Sequence, residues 1–218
     1  MTTAASPVLN LKRHRPASLR AWHWLNALVL LGLVSTMLLR KGFLSWRSNA
    51  ALIEAKAQEA GVTLAPDLAK VMARSIRDVM WEWHYPLGFC LAGLILFRVV
   101  VAVVAGERPF RQVLDGFRAV AASDGAGKRD AWHFTAVRLV YGVFYACVLF
   151  MACTGITARF SALLGLGPDA VHQLEEVHET VANVFPVFIV LHVAGVVIAE
   201  LTRYRGIVSD MIHGGERS

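Results

Sequence analysis

The chain has 218 residues, 56% of them hydrophobic and only 17% charged, with a net charge of +6. A soluble domain of this length carries more charge, so the composition points to an integral membrane protein whose partner is the lipid bilayer. The basic residues form no long block and lie beside apolar runs, which argues for flanks that set topology and against a nucleic-acid partner.

The chain opens on a polar and then basic segment, Met1 to Arg20, without a small-residue cleavage site after an apolar stretch of signal-peptide length. The first apolar run is therefore expected to stay as an anchor. A bilayer core takes about 20 apolar residues of helix, and four runs qualify. The first is AWHWLNALVLLGLVSTMLL, residues 21–39. A long loop, 40–83, follows, in which ALIEAKAQEAG and APDLAKVMARSIRDVMWEW both read as amphipathic helix, Pro66 and Asp67 starting the second. The remaining runs cover 86–105, 135–158 and 181–199, and Gly125 and Gly127 mark a turn between the second and third. Lipid offers the backbone no hydrogen-bond partners, so each run should be helical. The expected fold is all-α: an integral membrane four-helix bundle in one domain, 1–218, with a helical outer loop between spans one and two.

Lysine and arginine orient the bundle. Lys12, Arg13, Arg15 and Arg20 precede span one; Arg108, Arg111, Arg118, Lys128 and Arg129 join spans two and three; Arg203, Arg205 and Arg217 follow span four. The loop between spans three and four holds Arg159 alone against Asp169, Glu175, Glu176 and Glu179. Both termini are therefore expected in the cytoplasm. The loop 40–83 dissents with seven basic residues, but it is long and carries five acids. Trp22, Trp24, Trp46, Trp81, Trp83 and Trp132 fall near span ends, as interfacial tryptophans do. Cys90, Cys147 and Cys153 lie within apolar runs and are expected to be buried and inert. No C-x-x-C-H occurs, so nothing supports covalent haem attachment.

Eight histidines remain to be placed. His14 and His213 lie in polar tails and read as solvated. His84 and His178 sit level with each other at the outer mouths of spans two and four. His23 sits at the inner end of span one, and His192 lies deeper along span four. The four sort into an outer and an inner pair. His178 and His192 are 14 residues apart, which returns to nearly the same face of a helix, roughly 21 Å along it. Pro186 between them can kink the helix. Pairs of imidazoles from facing helices suit haem iron, which takes two axial nitrogens on opposite faces of an apolar plate. Gly32, Gly88, Gly93, Gly142 and Gly195 leave room for one. The rival readings are helix-to-helix hydrogen bonds and a zinc site, which would want carboxylate, cysteine or more histidine at the same depth. Arg20, Arg98 and Arg138 cluster at the depth of the inner pair. There they either clamp haem propionates or snorkel to the interface, snorkelling being favoured for Arg20.

The stretches RAWHWLNAL, WEWHYPLGFCLAGLILFRVVVAV and HETVANVFPVFIVLH resemble the four-helix di-haem cytochrome b family. That family includes bacterial cytochrome b561 and the membrane cytochrome b subunits of nickel–iron hydrogenases, formate dehydrogenases and thiosulfate reductases. The likeness covers about residues 20–205 and reproduces the ligand order: one histidine in span one, one in span two, two in span four. It implies two haem b groups, the outer on His84 and His178 and the inner on His23 and His192. It also implies a place in the bacterial inner membrane and electron transfer between quinone and an outer-face, periplasmic redox partner. The quinone would be a diffusible substrate near the inner haem, with Trp132, His133 and Arg138 as neighbours. Asp130, His133 and Glu200 offer a water path for its protons. His172 is expected to be exposed. Three functions compete: membrane subunit of a larger oxidoreductase, free-standing superoxide:quinone oxidoreductase, and haem-free transporter or scaffold.

Overall fold

The computed structural model describes residues 16–106, 109–202 and 205–215. Expectations that rest on Lys12, Arg13, His14, Arg15, Arg108, Arg203 and Arg217 lie outside the described residues. Among those described the chain is helical, with no strand: α1 (Ala17–Lys41), α2 (Trp46–Glu59), α3 (Pro66–Asp78), α4 (Met80–Val104), α5 (Pro109–Ala122), α6 (Gly125–Arg159), α7 (Pro168–Ala182), α8 (Val184–Leu201) and α9 (Ile207–His213). Four stretches are long and apolar enough to cross a membrane: α1, α3 with α4, most of α6, and α7 with α8. The all-α class and the four spans stand. Apolar side chains along them point outward, with Leu28, Leu96, Val190 and Leu191 each 65–68% exposed. In water such a surface would be a liability; in a bilayer it is the solvated face.

The chain forms two compact units, residues 24–91 and the remainder. In the first, the two amphipathic stretches of the outer loop are α2 and α3. They close on each other through small residues, with Ala50, Ala69 and Ala73 buried among Trp46, Ile53 and Leu64. Pro66 opens α3 at a position whose N–H has no helical partner, so the missing donor costs nothing. Arg40, in the last turn of α1, pairs with Asp78 at 3.2 Å, and its guanidinium lies 4.0 Å above the Trp81 ring. These contacts tie the end of α1 to the junction of α3 and α4. Gly32 of α1 faces Leu87 of α4, where a Cβ would lie 3.0 Å from the leucine Cδ1.

The chain departs from expectation in four places. Helix α5 was not anticipated, because its stretch has no long apolar run. It packs on α6, where Gly116 admits the fully buried Thr135 so closely that a Cβ would collide with the hydroxyl. Helix α6 starts at Gly125, whose φ of +54° suits glycine, so Gly127 lies in its first turn and not in a loop. The cysteines are not buried: Cys90 and Cys153 are exposed and Cys147 is partly so.

The fourth departure concerns span four, which is two helices, broken at Asn183. Pro186 has no N–H and its ring crowds the carbonyl of Ala182, one turn earlier. The Asn183 N–H turns to Thr180 O at 3.3 Å, and its side-chain amide donates to Glu179 O at 2.9 Å in place of the displaced backbone donor. His178 and His192 therefore lie on separate helical segments, and the arithmetic for one straight helix does not apply to them. Beyond α8, Glu200 accepts N–H groups from Gly206 (2.9 Å) and Val208 (3.0 Å), fastening α9 to the end of the span.

Gly116→Ala should destabilise the α5–α6 contact by about 1–3 kcal/mol, as overpacking does. Thr135→Ala in the same chain should recover most of that loss. Thermal unfolding of detergent-solubilised protein checks both.

Candidate functional site

Imidazole in an apolar helix has two nitrogens to satisfy, and lipid satisfies neither. The four histidines singled out from sequence are all half-buried. Their neighbours show how one nitrogen of two of them is spoken for.

His84 stands near the start of α4. Its Nδ1 is 2.9 Å from Thr36 Oγ1 of α1. Thr36 is buried, and its hydroxyl donates its one proton to Leu33 O at 2.7 Å on its own helix. With that proton on Leu33 O, the hydroxyl is left to accept, and the bond is then given by His84 Nδ1–H. Trp81 lies edge-on against the ring at 5.3 Å.

His178, in the last turns of α7, repeats the device. Its Nδ1 is 2.8 Å from Thr154 Oγ1 of α6, and Thr154 is likewise buried. That hydroxyl donates to Phe150 O at 2.9 Å, with Met151 O at 3.2 Å. The ring reaches so close because residue 155 is glycine: a Cβ there would lie 3.1 Å from His178 Cε1. In that tautomer Nε2 of each histidine keeps its lone pair, the form in which neutral imidazole binds a metal.

His23 and His192 are neighbouring rings. Their ring centres are 6.3 Å apart and their planes 54° apart. His192 stacks on Phe188 one turn earlier at 5.7 Å, and Phe188 stacks on Phe144 of α6 at 4.4 Å. Beside His23, the Trp22 indole N–H donates to Leu94 O at 2.9 Å while the ring lies against Tyr145, 6.3 Å centre to centre. Trp22 thus holds the first turns of α1 to α4 and α6.

The arginines separate. Arg20 donates to the Ile212 carbonyl of α9, while its buried Nε meets no acceptor among the described residues. Arg138 lies 4.5 Å over the Phe134 ring, one turn before it on α6. Arg98 is half-buried on α4. Trp132 faces α5, edge-on to Phe117. Glu200 is committed to capping α9, a role that leaves it poorly suited to carry protons. His172 is exposed, as expected, with Glu176 at 3.4 Å one turn on. Among the described residues no three His, Cys, Asp or Glu gather where a metal ion could be held.

Sequence reading missed Thr36, Thr154 and Gly155. A threonine within LVSTMLL or MACTGITA reads as a small residue that satisfies itself on its own helix, and nothing local names its second partner. Trp22→Phe keeps the stack on Tyr145 and loses the bond to Leu94. It should lower stability by about 0.5–1.5 kcal/mol, the net worth of one hydrogen bond, measured by thermal unfolding.

A family model described as prokaryotic cytochrome b561 matches residues 14–214. No curated protein and no solved structure matches the chain.

Proposed function

The chain belongs to the prokaryotic cytochrome b561 family, and from that premise we propose that it is a di-haem membrane cytochrome of the bacterial inner membrane, both termini cytoplasmic, that passes electrons between quinone and a redox partner on the outer face. Membership makes it a membrane cytochrome b with b-type haem. The number of haems, their ligands, the quinone and the partner are this proposal's own content. A b-type haem, when bound, supplies reversible one-electron exchange at its iron.

The observation that carries the reading is the separation of His23 and His192. Their ring centres are 6.3 Å apart, which supports the reading because it leaves room for one metal between two imidazoles. These two residues are assigned to the inner haem. His84 and His178, which the resemblance pairs at the mouths of spans two and four, are assigned to the outer one. Gly88 and Gly195, one turn from His84 and His192, face open space where a Cβ would meet nothing within 4 Å, which suits a flat plate lying against the helix. Arg20, Arg98 and Arg138 remain the side chains suited to inner-haem propionates. Arg20 has its unsatisfied Nε in support, although Ile212 already takes part of its guanidinium.

The chain's own contribution is positioning and exclusion of water. Trp22 and Phe188 hold the inner imidazoles from moving, and Thr36 and Thr154 hold the outer ones. On α3, Ala69 and Ala73 turn onto α2 while Leu68, Val71, Met72 and Ile76 stay exposed. That apolar face supports a role as the membrane subunit of a larger complex over a free-standing enzyme. Co-purification of an outer-face redox subunit from native membranes tests this part.

Purified protein should hold two haems per chain by pyridine haemochrome assay. His192→Ala and His178→Ala should each reduce this to about one or fewer, through loss of an axial ligand. Undiminished haem in both variants overturns the assignment. Gly155→Val, which drives the His178 ring away from Thr154, should also lower haem content.

A further inference from the structure

The two threonines that touch histidines are more than helix-packing residues. Three threonines in the spans are buried: Thr36, Thr135 and Thr154. All three send their hydroxyl proton back to a carbonyl of their own helix, Leu33, Ala131 and Phe150 respectively. Thr135 stops there. Thr36 and Thr154 each also stand at hydrogen-bond distance from Nδ1 of a histidine on another helix, 2.9 and 2.8 Å away, a place where a hydroxyl already donating to its own helix accepts. The same arrangement occurs twice, from different helices, at the two histidines assigned to one haem.

We propose that Thr36 and Thr154 are positioning residues that fix the tautomer and ring orientation of His84 and His178, presenting Nε2 of each as the metal-binding atom and making both imidazoles more electron-rich. The proposal rests on the di-haem reading above. Without an acceptor for Nδ1–H, an imidazole in an apolar span either strands a buried donor or turns over and offers the wrong nitrogen. The hydroxyl removes that choice. With its own proton on the helix carbonyl, it favours the tautomer that donates from Nδ1 over the opposite one. A bond from Nδ1–H to an acceptor also raises ligand basicity, which favours the ferric state and lowers the reduction potential of the haem so held.

Threonine and valine have nearly the same shape, so Thr→Val removes the acceptor and little else. In redox titrations of purified, haem-loaded protein, Thr36→Val and Thr154→Val should each raise the midpoint potential of the outer haem and leave the inner one in place. Haem affinity at the outer site should fall about tenfold, a usual cost of losing such a support. Thr36→Ser and Thr154→Ser keep the hydroxyl and should restore wild-type values. Thr135→Val removes a buried hydroxyl that bears on no histidine and should move neither potential. The two steps are assigned by which one disappears in His178→Ala and which in His192→Ala. Should Thr36→Val fail to assemble, Thr154→Val against Thr154→Ser decides. Unmoved outer-haem potential and affinity in the assembled valine variants overturns the proposal, as does an equal shift in Thr135→Val. Failure of the di-haem reading itself shows differently, as undiminished haem in both histidine-to-alanine variants.

Discussion

An imidazole ring in the apolar part of a membrane span has two polar nitrogens and no water to give them, and each must find a partner within the protein or its cofactor. At His84 and His178 one nitrogen goes to a threonine hydroxyl already engaged with its own helix. A hydroxyl has one proton, and where its own helix takes it the ring donates from Nδ1 and keeps its lone pair on Nε2. At His23 and His192 the geometry is set by stacking instead, with Phe188 flat against one ring and Trp22 anchoring the helix that carries the other. Membership of the prokaryotic cytochrome b561 family and this treatment of the histidines are separate observations that lead to the same cofactor.

The sequence discloses what depends on composition and local pattern. Four apolar runs gave four spans because bilayer thickness sets a length that shorter core helices do not reach. Helices α2 and α3 were legible because ALIEAKAQEAG and APDLAKVMARSIRDVMWEW both carry an amphipathic helical pattern, with Pro66 and Asp67 marking where α3 begins. What stayed hidden depends on partners distant in sequence. Thr36 pairs with a residue 48 positions on and Thr154 with one 24 positions on, and no periodicity reports either. Helix α5 escaped because it is short and amphipathic, and apolar runs of bilayer length do not disclose such a stretch. The kink in span four was anticipated at Pro186, yet the chain breaks three residues earlier, at Asn183, because proline disturbs the turn before it.

That break has consequences for how two depths of one span are built. A continuous helix would couple the rotation of His178 to that of His192, so that aligning one fixes the other. With Asn183 between them, α7 and α8 can each take the orientation that their own packing demands. Asn183 makes this affordable in an apolar setting, because its side-chain amide serves the carbonyl of Glu179 that the backbone no longer serves. His178 is then oriented by Thr154 and Gly155, and His192 by Phe188.

These orienting contacts share a source. Helix α6 carries none of the four histidines, yet it supplies Thr154 and Gly155 to His178, Phe144 to the aromatic that stacks on His192, and Tyr145 to the tryptophan beside His23. Its 35 residues extend well past the apolar run, and its first turns are held by α5 through Gly116 and Thr135. A ligand-bearing helix must present imidazole at a fixed angle, which leaves it little freedom to choose its own packing. A helix without ligands has that freedom, and α6 uses its small and aromatic residues to set the positions of its neighbours. In this chain the span that carries none of the four histidines is the reference against which three of them are aligned.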